Sequence, residues 1–396
     1  METPSPSRGF WLNLLHLAKC CGNIIVTAWL VIGATLLLII SLDLVCSFGS
    51  RVFSLKKDPN YFKEVESYRK QPWVDEYFKE FMAALNTNWQ SYVYFRWKPF
   101  KGKYLNINDQ GLRFTVPSDL SDSETTKKIN IFMFGGSTLW GWGVRDRYTI
   151  PSQLVEALAK HKIKAEITNF SEPGYVTTQE LIDLIMQLQR GKVPDLVIFY
   201  DGVNDVYAAY QGGVAGIPEN EWKREMEYNL SNRYGQLRRL FLLKSLDEFY
   251  LGRKIKELSQ KLELTTMKRK INDGLEKKIV EIYLNNLKII DGISKTYGFK
   301  TMYYWHPIIY YKNYLTNFEE YYNNDDEMKK LYFKTYDILN KEKSNLAKYN
   351  FYDISGIFAD SKQSLYIDCF HINEEGNNEI AERMANDVMK IVKANN

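Results

Sequence analysis

Short apolar runs alternate with amphipathic stretches along the C-terminal two thirds of the chain. Runs with the composition of buried strands cover residues 129–134, 165–170, 196–200 and 300–305, with a shorter one near 351–354. The stretches between them carry apolar residues at helical spacing. Because strands that alternate with helices of this length form parallel sheets covered on both faces, the pattern predicts an α/β domain with three αβα layers and about five parallel strands.

Local end signals define three of the helices. Thr149 precedes Ile150 and Pro151, and proline favours the first turn of a helix. Residues 177–180 are typical of a capping box, and Gly191 ends the helix that follows. Residues 373–393 predict an amphipathic last helix. Its expected inward positions are Ile380, Met384, Val388 and Ile391.

The N-terminal part has a different pattern. No charged residue occurs between Cys20 and Leu42. At about 1.5 Å per helical residue these positions extend for roughly 35 Å, enough to span the hydrocarbon core of a bilayer. The run is long and no small-residue cleavage site follows it, so a membrane anchor is favoured over a cleaved signal peptide. We expect an N-terminal tail at 1–22 and one transmembrane helix at 23–45.

The basic residues that flank this helix bear on its orientation. Arg8 and Lys19 precede the helix, and Arg51, Lys56 and Lys57 follow it. By the positive-inside rule, an excess of one basic residue on the C-terminal side favours a cytoplasmic C-terminal part. That margin is small, so the expected function also has to be weighed.

Two segments differ from the alternating pattern. Residues 46–128 are aromatic and charged, and 92–97 have a strand's composition, so we expect a lead-in region that packs on a core domain at 129–396. Residues 209–277 are rich in Lys, Arg, Glu and Leu. They predict a helical insertion with a solvated face. The alternative is a lid, or a basic surface at 253–278 that faces anionic lipid or polymer.

Composition narrows the class of protein. The chain has 396 residues, of which 45% are hydrophobic and 25% charged, as in globular proteins. Its net charge of +4 comes from 52 basic and 48 acidic residues, so no nucleic-acid partner is expected. Cys369 is the only cysteine after Cys46, so no disulfide within the domain is expected. No Cys/His spacing suggests zinc, and we expect neither a metal nor a cofactor.

The first chemical candidate is Ser137. It follows Gly135 and Gly136 at the end of the first apolar run, and ligands bind at the carboxyl edge of parallel sheets. A serine hydroxyl needs a base, which is usually histidine. His371 lies just before the last helix, and Asp368 three residues earlier can orient its imidazole.

Two more strand ends offer donors for an oxyanion. Gly174 lies in the loop after the second strand, and Asn204 lies after the third. Backbone N–H groups and side-chain amides at such positions stabilise the charge that develops during acyl transfer. Taken singly, Gly174 is explained by a turn and Asn204 by a helix cap. Four successive loops on one sheet edge nevertheless each carry a part that acyl transfer needs.

These blocks resemble those of the SGNH (GDSL-type) hydrolase superfamily, in order and spacing, over roughly residues 129–394. The matching blocks are residues 135–137, Gly174, residues 202–205 and residues 368–371. The resemblance implies the flavodoxin-like SGNH-hydrolase fold. It implies Ser137 as nucleophile, His371 as base and Asp368 as the acid that orients it. The implied oxyanion donors are the N–H groups of Ser137 and Gly174 and the Asn204 side chain.

One position departs from the family pattern. Gly136 stands where the family usually has Asp, so the support of the serine must differ here. The motif also lacks the second glycine of Gly-x-Ser-x-Gly, which argues against the other common hydrolase elbow. Three residues near the blocks, Trp140, Tyr207 and His306, are expected to line the substrate, and ordinary packing is the alternative for each.

The resemblance implies a membrane-anchored serine esterase that cleaves O-acyl esters, acetyl above all, of a carbohydrate or lipid. One alternative is an O-acyltransferase in cell-envelope polysaccharide modification. Another is a non-catalytic subunit that binds a polysaccharide or a membrane-protein partner. The envelope role outweighs the one-residue charge difference, so we expect a cytoplasmic N-terminus and an extracytoplasmic domain.

Overall fold

The computed structural model describes residues 8–54, 61–121, 123–231, 254 and 273–393. The chain divides into two compact units. One of them contains helix α1, and the other comprises Asn60–Glu227 and Arg269–Asn396. Each unit is described by itself below.

Helix α1 covers Arg8–Ser54 and is longer at both ends than the predicted span of 23–45. Its segment Cys21–Ser47 has 27 residues and a mean hydropathy of 2.6, and by length and composition it can cross a membrane. Leu30 and Leu38 expose more than half of their side-chain surface. A signal sequence near an N-terminus has the same properties.

Five parallel strands form the main sheet of the second unit, which confirms the predicted fold class. They are β5 (Lys127–Gly135), β6 (Ile163–Asn169), β7 (Leu196–Asp201), β8 (Lys300–Trp305) and β9 (Phe351–Asp353). Their spatial order is β6-β5-β7-β8-β9, and each neighbouring pair is parallel. This is the flavodoxin-like order, with its switch point between β5 and β7. Every residue of β7 is buried, as in a strand covered on both faces.

Two groups of helices flank the sheet and complete the three layers. The helices that begin in this unit are α2 (Val74–Ala84), α3 (Ser137–Trp140), α4 (Ile150–Lys160), α5 (Thr177–Gln189), α6 (Val203–Gly212), α7 (Glu221–Ser231), α8 (Leu275–Tyr297), α9 (Asn317–Tyr322), α10 (Asp326–Lys341), α11 (Lys343–Leu346) and α12 (Glu374–Lys393). Helices α4 and α12 pack against each other. Helix α8 packs on α5, α6 and α10, which form the second group. The inward positions of α12 are Ile380, Met384 and Val388, whereas Ile391 is half-buried.

Residues 61–113 form a small layer of their own beside the sheet. This layer contains α2, the antiparallel pair β1 (Thr87–Gln90) and β2 (Tyr94–Trp97), and the pair β3 (Phe100–Lys101) and β4 (Asn106–Ile107). Its buried side chains form an apolar cluster that also includes Trp140, Val144 and Ile367. These three residues lie close in sequence to Ser137 and Asp368, so the layer adjoins the loops that carry the candidate site.

Two local expectations differ from the structure. Helix α5 is capped by Val176, whose N–H bonds to the Gln179 side chain, rather than by Thr177. The Thr177 hydroxyl instead donates to Asp205 at 2.8 Å, because the fold brings the first turns of α5 and α6 together. Most of the predicted insertion at 209–277 lies outside the described residues. Its described parts include α7 and the end of α6.

Candidate active site

Ser137 lies where β5 turns into α3. Strand β5 is the second strand of the sheet and borders the switch point, and its last residues are fully buried. Gly135 is buried against Leu139 and the Tyr200 carbonyl, so a larger residue does not fit there. Ser137 is the first residue of α3, where backbone N–H groups have no partner within the helix. The turn therefore presents both the hydroxyl and free N–H groups at the carboxyl edge of the sheet.

A hydrogen-bonded chain joins Ser137, His371 and Asp368. The distance from His371 Nε2 to Ser137 Oγ is 2.7 Å. The distance from His371 Nδ1 to Asp368 Oδ2 is 2.6 Å. The other carboxylate oxygen, Oδ1, accepts the N–H groups of Phe370 and His371, each at 2.8 Å. The sequence-predicted nucleophile, base and orienting acid are thus within direct hydrogen-bond distance.

The environment keeps Asp368 ionised. Burial alone would raise the pKa of this carboxyl. The opposing effects of the His371 imidazole and of the two backbone N–H groups are larger, and the pKa lies below its ordinary value. A carboxylate that stays charged can hold Nδ1 protonated, which leaves the Nε2 lone pair directed at the serine hydroxyl.

Trp142 supports the imidazole from the side. Its ring stacks on His371 with a centroid distance of 5.5 Å and an interplanar angle of 21°. Phe81 of α2 contacts the Trp142 ring edge-on at 4.7 Å. Only the stacking in three dimensions shows that Trp142 contacts the predicted base, His371.

The predicted oxyanion donors Gly174 and Asn204 lie after strands β6 and β7, next to the Ser137 turn, and Asn204 lines the same small cavity as Ser137. Glu172, in the loop that carries Gly174, donates its N–H to the Gly135 carbonyl at 3.0 Å. Gly174 has a φ of +78°, a conformation that favours glycine. Asn204 donates one amide N–H to the Tyr175 carbonyl at 2.8 Å. Within the part of the chain that the structure describes, the Gly174 N–H and the second amide N–H of Asn204 have no intramolecular partner.

The unusual Gly136 is explained by Asn204. Its φ of −88° and ψ of −157° are open to any residue, so the backbone does not require glycine. A Cβ at this position would lie 2.1 Å from Asn204 Nδ2, however. The Asn204 amide thus fills the space where the family's usual Asp begins. The lack of a side chain at Gly136 is therefore matched to the position of the Asn204 amide, a predicted oxyanion donor.

The three expected substrate residues have different positions. Trp140 is 1% exposed and packs against Trp97 and the Arg113 guanidinium, which corrects the expectation that its ring faces a substrate. Tyr207 is half-buried and contacts Phe370 edge-on at 5.7 Å, next to the His371 loop. It is the one of the three whose position is compatible with substrate contact.

His306 is buried behind Ser137. Its Nε2 lies 2.9 Å from the Thr138 hydroxyl, and its ring lies 4.7 Å from that of Tyr200. Burial first, and then the electrostatic interaction with the His371 imidazole, lower the pKa of His306 to about 3, so the His306 ring is neutral. It lines a cavity of about 10 Å³ with Ser137, Glu180 and Asp201. A cavity of this size has room for about one water molecule, so His306 supports the turn and does not reach a substrate.

Sequence reasoning missed the basic residue that holds the loop after Ser137. Arg113 is buried and donates from Nε to Asp146 at 2.6 Å, from Nη1 to the Gly141 carbonyl at 3.2 Å, and from Nη2 to the Val144 carbonyl at 2.9 Å. These contacts fix residues 141–146, which include Trp142. An isolated arginine 24 residues before the serine has no motif around it, so no sequence signal identifies this role.

No curated protein matches this chain. Matches among solved structures include the acetyl xylan esterase AlAXEase, with 15% identity, a TM-score of 0.38, and coverage of 65% of this chain and 98% of that one. A catalytic mutant of Axe2, an acetylxylan esterase from Geobacillus stearothermophilus, has 13% identity, a TM-score of 0.37, and coverage of 69% and 96%. A member of the lipolytic protein G-D-S-L family from Veillonella parvula has 14% identity, a TM-score of 0.33, and coverage of 66% and 97%.

The family comparison is more direct. The model of the GDSL-like lipase/acylhydrolase family matches residues 131–384, which is more than half of the chain. The match includes all four loops that carry the candidate site. This chain therefore belongs to the GDSL-like lipase/acylhydrolase family.

Proposed function

We propose that the protein is a membrane-anchored serine esterase that cleaves O-acetyl esters of a carbohydrate or lipid through an acyl-serine intermediate. The observation that carries the proposal is the continuous chain from Ser137 Oγ through His371 to Asp368, with contacts of 2.7 and 2.6 Å. A serine with a base in hydrogen-bond reach, and a base held by a third group, is the arrangement that nucleophilic catalysis needs.

The proposed reaction has two halves. His371 Nε2 takes the proton of Ser137 while Oγ attacks the ester carbonyl, and the protonated imidazole then gives that proton to the leaving alcohol. Water attacks the acyl-serine in the second half, again with His371 as base, and releases the carboxylic acid. Asp368 stabilises the imidazolium in both halves because it stays ionised.

The N–H groups of Ser137 and Gly174 and the Asn204 amide are the proposed oxyanion donors. Their availability supports this role, because the Gly174 N–H and one Asn204 N–H are not used within the described chain. Removing a single donor of this kind typically lowers kcat by about 10²–10³-fold.

The test uses the full chain in detergent with 4-nitrophenyl acetate and a fluorophosphonate probe. We expect ester cleavage by the wild type and a probe adduct at Ser137 that is detected by peptide mass. Ser137→Ala should lose both. His371→Ala should lower kcat by about 10⁴-fold or more. His161→Ala is the matched control, because His161 is exposed, and it should keep wild-type turnover. Wild-type turnover no better than that of Ser137→Ala would defeat the proposal.

An acyltransferase would use the same acyl-serine but pass the acyl group to a sugar hydroxyl. Incubation of the wild type with the acetyl ester and an added oligosaccharide separates the two reactions. Free acetate as the main product supports the esterase. Acetylated oligosaccharide as the main product would replace hydrolysis with transfer. A non-catalytic binding subunit would give neither product.

We further propose that α1 anchors the protein in a membrane and that the domain with Ser137 lies outside the cytoplasm. The length and hydropathy of Cys21–Ser47 support anchoring. The expected role on envelope carbohydrate supports the orientation. A C-terminal reporter that is active only outside the cytoplasm should be active, and signal from a reporter active only in the cytoplasm would reverse the orientation.

A further inference from the structure

Strand β2 lies outside the residues that the family model matches, yet it contacts the loop that carries Gly174. The match begins at residue 131, whereas β2 is Tyr94–Trp97. Its neighbour Val93 accepts a hydrogen bond from Gln179 Nε2 at 3.0 Å. Farther along the strand, the Phe95 carbonyl accepts a hydrogen bond from the Tyr175 hydroxyl, and Arg96 donates to the Phe170 carbonyl. The strand therefore runs along residues 170–179, which include one of the proposed oxyanion donors.

Tyr175 connects this strand to the second donor. Its side chain is 1% exposed, and its hydroxyl donates to the Phe95 carbonyl at 2.5 Å. The Tyr175 ring also packs against Phe95 with a centroid distance of 5.5 Å. Its own carbonyl accepts the amide N–H of Asn204 at 2.8 Å. One residue thus joins the β2 backbone at one end and the Asn204 side chain at the other.

Arg96 holds the start of the same loop. It is buried, and its Nη1 donates to the Phe170 carbonyl at 2.9 Å and to Glu172 Oε1 at 3.0 Å. Its Nη2 is paired with Asp183 of α5. The guanidinium therefore bridges the end of β6, the loop and the helix after the loop. Gly174 lies between these anchor points.

Fixing these groups matters for the chemistry. An oxyanion donor acts only when it lies about 2.7–3.1 Å from the position of the developing charge. A displacement of about 1 Å in a catalytic group can lower the rate by about 10²-fold. The bond to the Tyr175 carbonyl fixes the plane of the Asn204 amide and so directs its second N–H.

We propose that Tyr175 and Arg96 are positioning residues of the oxyanion hole, through which β2 holds Gly174 and Asn204. The inference rests on the proposed function for its effect on turnover. The mechanical part, that β2 restrains residues 170–179, stands on the contacts alone. The layer at 61–113 would then be part of the catalytic unit rather than a spacer after α1.

The first test is Tyr175→Phe in the full chain in detergent. It keeps the ring and removes only the hydroxyl that bonds to Phe95. We expect kcat for the acetyl ester to fall about tenfold with KM unchanged, since the donors act on the charge that develops in the transition state. Tyr77→Phe is the matched control, because Tyr77 is fully buried in the same layer and its hydroxyl has no hydrogen-bond partner among the described residues. It should retain wild-type kcat and KM.

The second test measures backbone hydrogen exchange by mass spectrometry and does not need turnover. Tyr175→Phe and Arg96→Lys should both speed exchange in peptides that cover residues 170–179, whereas Tyr77→Phe should not. Faster exchange in a protein whose wild type does not cleave the ester would remove the proposed function but keep the restraint by β2. Unchanged exchange in both variants, or wild-type kcat in Tyr175→Phe, would overturn the inference.

Discussion

Two buried arginines of the 61–113 layer hold opposite sides of the candidate site, and they differ in charge balance. Arg113 faces one carboxylate, Asp146, and two carbonyl oxygens of the loop after Ser137. Arg96 faces two carboxylates, Glu172 and Asp183, and one carbonyl oxygen beside the Gly174 loop. On the nucleophile side of the site, at the loop after Ser137, one arginine therefore faces one acidic group. On the oxyanion side, at the Gly174 loop, one arginine faces two acidic groups.

The second acidic group beside Arg96 is Glu172, and its pKa is perturbed. Burial raises the pKa of this carboxyl to about 8, and the neighbouring Arg96 offsets only part of that effect. A buried carboxyl that holds its proton near neutral pH makes the local structure depend on pH. Two arginines that each hold a loop can thus differ, because the contacts of Arg96 include a carboxyl group that titrates near neutral pH.

The largest expected effect comes from removing either guanidinium. Arg113→Met and Arg96→Met should each lower the free energy of unfolding by about 3–5 kcal/mol, because each leaves a buried carboxylate without its partner. Urea unfolding at pH 8 and pH 5 checks this. Lowering the pH from 8 to 5 should restore more of the lost stability in Arg96→Met than in Arg113→Met, because Glu172 can take up a proton in Arg96→Met. Arg147→Met is the control, since Arg147 is exposed and its ion pair with the half-buried Glu156 should contribute less than about 1 kcal/mol. An equal gain in the free energy of unfolding at pH 5 in Arg113→Met and Arg96→Met would contradict the proposed difference between the two arginines.

The next effect is on catalysis at Gly136. Gly136→Ala puts a Cβ where Asn204 Nδ2 now lies, so the amide must move and lose its bond to the Tyr175 carbonyl. We expect kcat to fall by about 10²-fold. Because the displaced atom ends a flexible side chain, Tm should change little. Gly292→Ala is the control, as it has open space in helix α8. Wild-type kcat in Gly136→Ala would show that Asn204 does not act from its present position.

A smaller effect is expected in the pH dependence of stability. The pKa of Glu172 is about 8 in the folded protein, against an ordinary value of 4.5. The folded state therefore binds more protons between these values, and the wild type should lose stability as the pH rises from about 5 to about 8. Glu172→Gln should flatten this slope. Urea midpoints at pH 5, 6.5 and 8 check it, and a slope as steep as that of the wild type would refute the assignment to Glu172.

The smallest effect belongs to the nucleophile side. Trp142→Phe keeps an aromatic ring beside His371 but loses part of the stacking surface. Ring contacts of this kind contribute about 0.5–1.5 kcal/mol, so kcat should fall roughly threefold. Steady-state kinetics measure it. A loss beyond about tenfold would mean that Trp142 is needed to orient the base.

The sequence predicted the parts of the fold that depend on local pattern. Apolar runs with turn signals after them identified all five sheet strands within a few residues, and the loops after them held Ser137, Gly174, Asn204 and His371. Trp140 was misjudged because a tryptophan near a catalytic motif has the same pattern whether it packs inward or outward. Its partners, Trp97 and Arg113, come from a layer whose position no pattern specifies.

Long-range contacts explain the other differences. Thr177 has the composition of a helix cap, but Asp205, 28 residues away, takes its hydroxyl. In the sequence, Gly136 is only a departure from a motif. The three-dimensional structure explains it, because the Asn204 amide lies where a side chain at position 136 would begin. Arg96 has no local signature, because its role depends on carboxylates 76 and 87 residues later.

The bond between Ser137 and His371 also has a consequence for biosynthesis, since it joins residues 234 positions apart. Ribosomes add about 5–20 residues per second, so roughly 10–50 seconds separate the two residues during translation. On the oxyanion side, Arg96 and Glu172 are only 76 positions apart, so less time separates their synthesis. A nascent chain therefore carries the proposed nucleophile, Ser137, well before the proposed base, His371, and the proposed ester cleavage begins only when the loop with His371 has been made.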